Sequence, residues 1–342
     1  MTQSHPTHNA KESTLNLELL NNLIEVFGPP GYEDEIRAVV RAEVEPLADE
    51  VWVDPLGSLV ALRRGDGSGK KIVLAAHMDE IGVMVTHVDE HGFLRFARMG
   101  GVFPRNCVGN RVRFANGTVG VIYVERREDS SKMPKLSDLY IDVGATSPDD
   151  APVGVGDPAV FVRSLEAQGE RVISKVLDDR IGCYVLMETL RQLESSPHDL
   201  YFVFSVQEEV TLSGARTSAY NIDPDIALAV DVTSTGDTPK ALPMDVGLGK
   251  GPAIKVQDAG MIAHPMVRTM LVEAAQRAEI PYQLEILQHG STDAAAMQLT
   301  RAGVPSGCVS IPCRYVHSSS EMVDRNDVTQ AVTLLLTTLG TP

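Results

Sequence analysis

The chain has 342 residues, of which 43% are hydrophobic and 22% are charged, and its formal net charge at pH 7 is −16. These values predict a packed core, and they disfavour nucleic acid or an anionic membrane as a partner, because both carry negative charge. No apolar run reaches the roughly 18 residues that a membrane span needs. The N-terminus is polar and has no signal segment, so we expect a cytoplasmic protein whose first dozen residues are disordered.

The first predicted elements are two amphipathic helices followed by strands. Residues 15–27 place apolar side chains at helical spacing and stop at "GPPG", and residues 33–48 repeat the helical pattern. "EVWVDPLGSLVALRRG" at 50–65 alternates like two strands around a turn. Residues 70–85 form a continuous apolar run that is typical of a buried strand. This order indicates the beginning of an α/β domain.

The pattern changes between residues 86 and 171. Short alternating segments such as "RVRFA", "TVGVIYV" and "LYIDVGA" follow one another, separated by glycine and proline, and no helical pattern persists. We interpret "NGT" at 116–118 as a hairpin turn. The segment therefore predicts a small β-barrel-like domain inserted into the chain.

Helical and strand patterns alternate again after residue 171. Helices are predicted at 180–195, 263–280, 291–303 and 327–340, and strands at 200–207, 226–232, 282–288 and 305–311. Such alternation predicts a layered α/β/α domain with a mixed central sheet. We therefore expect a catalytic domain in two parts, 1–85 and 172–342, interrupted by a β-rich insertion at 86–171. The four cysteines match no disulfide or zinc spacing, so they are predicted to be free thiols of a reducing compartment.

Carboxylates and imidazoles follow several of the predicted strands. They are His77 and Asp79, Asp178 and Asp179, Glu208 and Glu209, Asp231, and His317. Each motif alone fits a strand end, a helix cap or a solvated turn. Ligand sites of α/β sheets lie at the carboxyl ends of strands, and burying so many acids together without cations is prohibitive. A mixed nitrogen and oxygen set suits Zn²⁺, Co²⁺ or Mn²⁺, best as a pair of ions.

The motifs "AAHMDEIG", "LDDRIGC", "QEEV", "AVDVT", "HGSTDAAAMQLTRAGVPS" and "IPCRYVHSSSEMV" resemble those of the tetrahedral (TET) aminopeptidases. These are the glutamyl-aminopeptidase and deblocking-aminopeptidase group of cytosolic dinuclear metallopeptidases, and the resemblance extends over nearly the whole chain beyond residue 15. It implies two divalent ions, zinc or cobalt with manganese as a further possibility. It also implies five metal ligands: His77, Asp178, Glu209, Asp231 and His317.

The resemblance further implies a role for each acid. Asp178 bridges both ions, Asp79 orients His77, and Glu208 is the general base; the peptide bond between Asp178 and Asp179 is cis. Adjacent side chains of a regular strand face opposite ways, so Glu208 and its neighbour can share a site only where the strand ends and the backbone turns. One carboxylate then binds metal, and the other is free to accept a proton.

The activity implied is release of N-terminal residues from short peptides. The resemblance also implies self-association through the insertion domain, as a homododecamer built from dimers. Two other functions stay open. One is a metal-dependent deacylase or deblocking enzyme that acts on acylated amines. The other is a catalytically silent assembly scaffold, against which the complete ligand set argues.

Overall fold

The structure is a computed structural model in which residues 15–129 and 131–340 are described. The disorder expected for the first dozen residues falls outside these ranges. The first elements follow the predicted order: α1 (Leu17–Glu25), α2 (Asp34–Val44), β1 (Glu50–Val53), β2 (Leu59–Arg63) and β3 (Lys71–His77). The side chain of Asn16 accepts a hydrogen bond from the backbone N–H of Leu19 and thereby caps α1.

The apolar run at 70–85 is divided between two sheets. It forms β3 and then, after residue 81, enters a closed antiparallel barrel. The barrel strands are β4 (Gly82–Val88), β5 (Leu94–Met99), β6 (Arg111–Phe114), β7 (Val119–Val124), β8 (Leu139–Asp142) and β9 (Pro158–Phe161), in the order β4-β5-β8-β7-β6-β9. "NGT" forms the turn of the β6–β7 hairpin, as predicted. The β-barrel-like insertion is therefore confirmed.

The chain returns to the main sheet after the barrel. The elements are β10 (Glu166–Gln168), β11 (Arg171–Ser174), α3 (Leu177–Gln192), β12 (Asp199–Ser205), α4 (Glu208–Thr211), α5 (Ser213–Ile222), β13 (Ile226–Thr233), β14 (Ala253–Gln257), α6 (Pro265–Arg277), β15 (Gln283–Ile286), α7 (Asp293–Met297), β16 (Ser306–Arg314), β17 (Glu321–Asp324) and α8 (Arg325–Leu339). The helix predicted at 291–303 is only α7. The positive φ angles of Arg301 and Gly303 are incompatible with its continuing to 303.

The main sheet has 11 strands in the order β1-β2-β12-β3-β13-β16-β17-β11-β10, with β14 paired to β15 and β16. Its centre is parallel: β12, β3, β13 and β16 run the same way, and β2, β14 and β17 pair with this group in antiparallel orientation. The sheet is mixed, as predicted. Parallel pairing places Ser205 beside His77 and Asp231 beside Ser310. The carboxyl ends of these strands therefore share one edge.

Helices cover both faces of the main sheet, which confirms the α/β/α layering. Alternate residues of β3 face opposite layers: Ile72 and Leu74 pack with α1, α2, α3, α6 and α8, whereas Val73 and Ala75 pack with α5 and α7. The barrel has its own apolar core. All four cysteines are buried and unpaired, as expected. None of the helices in the described ranges combines the length and apolar character that crossing a bilayer requires.

Candidate metal centre

One carboxylate lies between two imidazoles at the shared sheet edge. Asp178, in the first turn of α3, places Oδ1 3.0 Å from Nε2 of His77 and Oδ2 3.3 Å from Nε2 of His317. His77 ends β3, and His317 follows β16. Glu209 of α4 places Oε2 3.3 Å from the same Nε2 of His317. Four of the five predicted metal ligands therefore form a continuous chain of contacts.

The fifth predicted ligand, Asp231, lies near His77 in a second group of ligand atoms. Ligand atoms lie within 4.8 Å of one another in two groups: His77, Asp178 and Glu209, and His77, Asp179 and Asp231. Asp179 was not among the predicted ligands. Its Oδ2 accepts the backbone N–H of His77 at 3.2 Å, and its Oδ1 accepts that of Gly182 at 3.1 Å. It therefore ties the end of β3 to α3. The Asp178–Asp179 peptide is cis, as the resemblance implied.

The turn after β12 explains how two adjacent glutamates reach one site. Gln207 has a left-handed backbone (φ 57°), which ends the strand and begins the short helix α4. Asp79 accepts the backbone N–H of Glu208 at 3.0 Å through Oδ1 and that of Glu209 at 3.1 Å through Oδ2. Nδ1 of His77 lies 3.0 Å from the backbone oxygen of Asp79 and 3.6 Å from its Oδ1. Asp79 thus contacts His77 and also fixes both glutamates.

Two buried acids that sequence reasoning missed accept backbone N–H groups of residues in or next to the site. Oε1 of Glu33 accepts the backbone N–H groups of Gly31 at 2.7 Å and of Gln207 at 3.2 Å. Burial raises the pKa of Glu33 to about 7. The only sequence signal for Glu33 was an acid at the start of the second helix. Its partner lies 174 residues away, so local pattern could not identify the contact.

Glu321 is the second of these acids. It accepts the backbone N–H of Asp178 through Oε2 at 3.0 Å and that of His317 through Oε1 at 2.9 Å. It is 1% exposed, and burial, reinforced by the charge of Asp178, raises its pKa well above the usual range. The sequence signal that could have identified Glu321 was its position four residues after His317, inside "VHSSSE". The Glu321 carboxylate therefore holds the backbone of two candidate ligands, Asp178 and His317, in place.

The barrel closes the site through its backbone. A Cβ at Gly101 would lie 2.1 Å from Nδ1 of His317, and a Cβ at Gly100 would lie 2.9 Å from Oε2 of Glu209. Asn106 donates a hydrogen bond from Nδ2 to the backbone oxygen of His317 at 3.1 Å. The Phe103 ring centroid lies 6.4 Å from that of His317. Only residues without a side chain fit at the two glycine positions.

A cavity of about 1030 Å³ lies between the sheet edge and the barrel rim. Asp178, Glu208, Glu209, Asp231 and His317 line it, together with the rim residues Gly100 and Gly101. The rest of its wall includes Arg98, Phe103, Arg105 and His289, and otherwise consists of apolar and neutral polar residues: Val210, Thr211, Leu212, Val232, Thr233, Ser234, Leu287, Gly290, Ser291 and Val316. Such a mixture fits a substrate with a polar reacting end and an apolar body.

Negative charge exceeds positive charge at the site. Burial and neighbouring carboxylates raise the pKa values of Glu208, Glu209 and Asp231. Burial opposes protonation of His317, but Asp178 and Glu209 raise its pKa to about 12. Within the described residues, the buried Oε1 of Glu209 has no hydrogen-bond partner. An unpaired carboxylate oxygen and a surplus of acids are what divalent cations would satisfy, so the donor set fits two metal ions.

Relatives of known sequence extend over almost the whole chain. A protein of Acetivibrio thermocellus, which carries a provisional aminopeptidase name, is 50% identical over 93% of this chain and 97% of its own length. The lysyl aminopeptidase of Pyrococcus furiosus is 38% identical over 93% of this chain and 94% of its own length.

Solved structures similar to this chain also include aminopeptidases. A TET aminopeptidase from an archaeon of the Thaumarchaeota superposes with a TM-score of 0.91 at 36% identity, over 95% of both chains. The TET1 peptidase of Pyrococcus horikoshii, which assembles into a tetrahedron or a large octahedral shell, gives 0.84 at 32% identity, over 95% of this chain and 99% of that one. The model of the M42 glutamyl aminopeptidases matches residues 57–334. The chain therefore belongs to the M42 glutamyl aminopeptidase family of peptide hydrolases.

Proposed function

We propose that this aminopeptidase is a dinuclear metal enzyme that releases N-terminal residues from short peptides. The observation that carries the proposal is Asp178, whose two oxygens face the imidazoles of His77 and His317. The residues that would hold the ions are His77, Asp178, Glu209, Asp231 and His317. Zinc or cobalt fits these ligands, with manganese as a further candidate. Such ions, when bound there, would supply acidification of a water molecule and polarisation of the scissile carbonyl.

Glu208 is proposed as the general base. Its carboxylate lines the cavity, and its Oε2 lies 3.7 Å from Nε2 of His77, beyond hydrogen-bond distance. It would take a proton from the attacking water and return it to the leaving amine. Burial, together with the charge of Asp231, raises its pKa, which moves it towards the range where a base works near neutral pH. Asp79 holds the backbone of Glu208 and so fixes the direction of the carboxylate.

Exopeptidase behaviour follows from the shape and charge of the cavity. The carboxylates on its sheet side attract a free α-ammonium group, and the barrel limits how far a chain can extend past them. An acylated amine carries no such charge. This difference separates the aminopeptidase from the deacylase alternative.

The insertion at 86–171 is proposed to mediate self-association into a homododecamer built from dimers. The TET1 peptidase of P. horikoshii forms a tetrahedron, and a stripe of apolar side chains is exposed on β7 of this barrel. It consists of Val119, Val121 and Tyr123, which are 50%, 41% and 52% exposed. We also propose that the protein is located in the cytoplasm.

The test is removal and return of metal. The protein is dialysed against a chelator, then supplied with Zn²⁺, Co²⁺ or Mn²⁺, and hydrolysis of aminoacyl-p-nitroanilides is followed beside N-acetylated controls. Release that depends on metal and on a free amine supports the proposal. Activity that survives complete chelation refutes the metal mechanism. Release of p-nitroaniline from the acetylated substrates supports a deblocking enzyme, release of acetate supports a deacylase, and no release with two ions bound supports the scaffold.

A further inference from the structure

Two arginines of the barrel belong to the lining of the cavity at the candidate metal centre. Arg98 lies in β5, and Arg105 follows the glycine pair; both are exposed and line the cavity. The lining formed by the described residues contains no other lysine or arginine. Neither arginine makes an ion pair within those residues, unlike Arg95, which pairs with Glu125 on the same barrel. The cavity therefore contains two cations that the fold does not neutralise.

The two sides of the cavity carry opposite charge. Four carboxylates line the sheet side: Asp178, Glu208, Glu209 and Asp231. The two guanidinium groups lie on the barrel side, so a peptide with an amine at one end and a carboxylate at the other meets opposite charges on the two sides of the cavity. The net charge of the chain is −16, so the two guanidinium groups give the barrel side of the cavity a local positive charge within an acidic protein. A guanidinium pairs with a carboxylate through two parallel hydrogen bonds.

A short peptide can reach from a candidate metal ligand to Arg105. The ring centroids of His317 and Phe103 are 6.4 Å apart, and Cζ of Arg105 lies 5.3 Å from the Phe103 centroid. An extended chain spans roughly 3.3–3.6 Å per residue. Arg105 is therefore within the length of a tripeptide or tetrapeptide from the imidazole. Its cation–π contact with Phe103 favours this position.

We propose that Arg98 and Arg105 form a carboxylate subsite for the leaving-group side of the peptide. The substrate's amine end lies among the carboxylates of the sheet edge, and its downstream carboxylate lies on the barrel rim. That carboxylate is the C-terminus of a tripeptide or tetrapeptide, or an acidic side chain at the second or third position. This inference rests on the proposed function, because it takes the scissile bond to lie at the candidate metal centre.

The experiment compares substrates that differ only in the carboxylate. A neutral tripeptide is assayed as free acid, as C-terminal amide, and as an amide with glutamate at position three. The wild type is expected to prefer either carboxylate-bearing form over the neutral amide by about tenfold in kcat/KM, mainly through KM. Arg105→Gln and Arg98→Gln should bring the ratio close to one. Arg111→Gln, a barrel arginine outside the cavity lining, is the matched control and should keep the wild-type ratio.

The three substrates also identify the source of the carboxylate. Preference for the free acid alone assigns the subsite to the C-terminus, and preference for the glutamate amide alone assigns it to a side chain. Equal rates on all three by the wild type, or an unchanged ratio in both variants, would overturn the subsite. Arg105→Lys, which keeps the charge, should retain part of the preference even if the glutamine variant folds poorly.

Hydrolysis of an aminoacyl-p-nitroanilide separates the two proposals. That substrate has no carboxylate and reports only on the candidate metal centre. If the wild type shows no metal-dependent hydrolysis of the anilide, the proposed function is refuted. Normal anilide hydrolysis with no preference for carboxylate-bearing peptides refutes the subsite alone.

Discussion

The sheet edge and the barrel rim form the two sides of one cavity by different means. The sheet edge places charged side chains in the interior: His77 and Asp178 are 2% and 7% exposed, and Asp179 is fully buried. The barrel packs an ordinary apolar core, with side chains such as Val112 and Ile141 inside. It reaches the site through backbone at Gly100 and Gly101 and through two exposed arginines. The sheet edge therefore provides the candidate catalytic and metal-binding side chains. The barrel limits the shape of the cavity and gives its other side a positive charge.

This contrast has an energetic consequence. Buried carboxylates are costly unless they are paired, and the site has more of them than its two imidazoles can pair. The barrel core carries no such cost. We therefore expect substitutions at the sheet edge to act on turnover and metal content, and substitutions at the rim to act on geometry and substrate preference.

The largest effect is expected for Glu208→Gln. The amide keeps the size of the side chain but cannot accept the proton, so kcat should fall by about 10²–10⁴-fold while both ions stay bound. Anilide kinetics and elemental analysis of metal measure the two quantities. Glu90→Gln on the barrel, where the side chain is 87% exposed, is the control. A near-normal rate in the Glu208 variant would remove it as the base.

Asp231→Asn is expected to lower activity and metal content together. A neutral amide replaces a buried carboxylate that lies with His77 and Asp179 in one group of ligand atoms. Loss of groups that only support ligands costs 10- to 100-fold in metal affinity or activity, so a ligand should cost about 100-fold. Titration of metal against activity measures this. Full occupancy by two ions would show that Asp231 is not a ligand.

Gly101→Ala tests whether the close approach of the barrel backbone constrains His317. The new methyl group would meet the ring of His317, and moving a candidate ligand by a fraction of an ångström should lower kcat/KM roughly tenfold. Gly154→Ala is the matched control, because a Cβ there meets no atom within 4 Å. Equal activity of the two variants would mean that the rim does not constrain His317.

The sequence was informative where chemistry and periodicity coincide. Apolar runs that end in His77, Glu208 or Asp231 predict strands whose carboxyl ends carry polar groups. Parallel pairing then brings those ends together without any knowledge of register. The layering and the barrel could be predicted for the same reason, since helical and alternating patterns extend over long segments.

Contacts made through backbone could not be predicted in this way. Glu33 and Glu321 accept N–H groups of distant or tightly turned residues, and any acid at those positions has the same local pattern. Gly101 is one glycine among 28, and only the folded distance to His317 distinguishes it. The short strands β14 and β17 have too few residues for a period to emerge. Tertiary contacts alone determine these features.

The smallest expected effect concerns Glu33, which accepts the backbone N–H of Gln207 in the turn before Glu208. Its pKa is about 7 in the folded protein, against an ordinary value of 4.5. The folded state therefore binds this proton more tightly than the unfolded chain. The resulting stability is complete below pH 4.5 and is lost as the pH rises through 7.

Glu33→Gln removes this proton but keeps an oxygen that can accept from Gln207. The Tm of the variant relative to wild type should therefore rise by a few degrees between pH 5 and pH 8. Thermal unfolding at both pH values, with metal present throughout, measures the difference. Glu35→Gln, exposed on the same helix turn, should show no such change. Parallel Tm curves for wild type and the Glu33 variant would mean that the buried acid does not titrate on folding, and that Glu33 supports the turn by its hydrogen bonds alone.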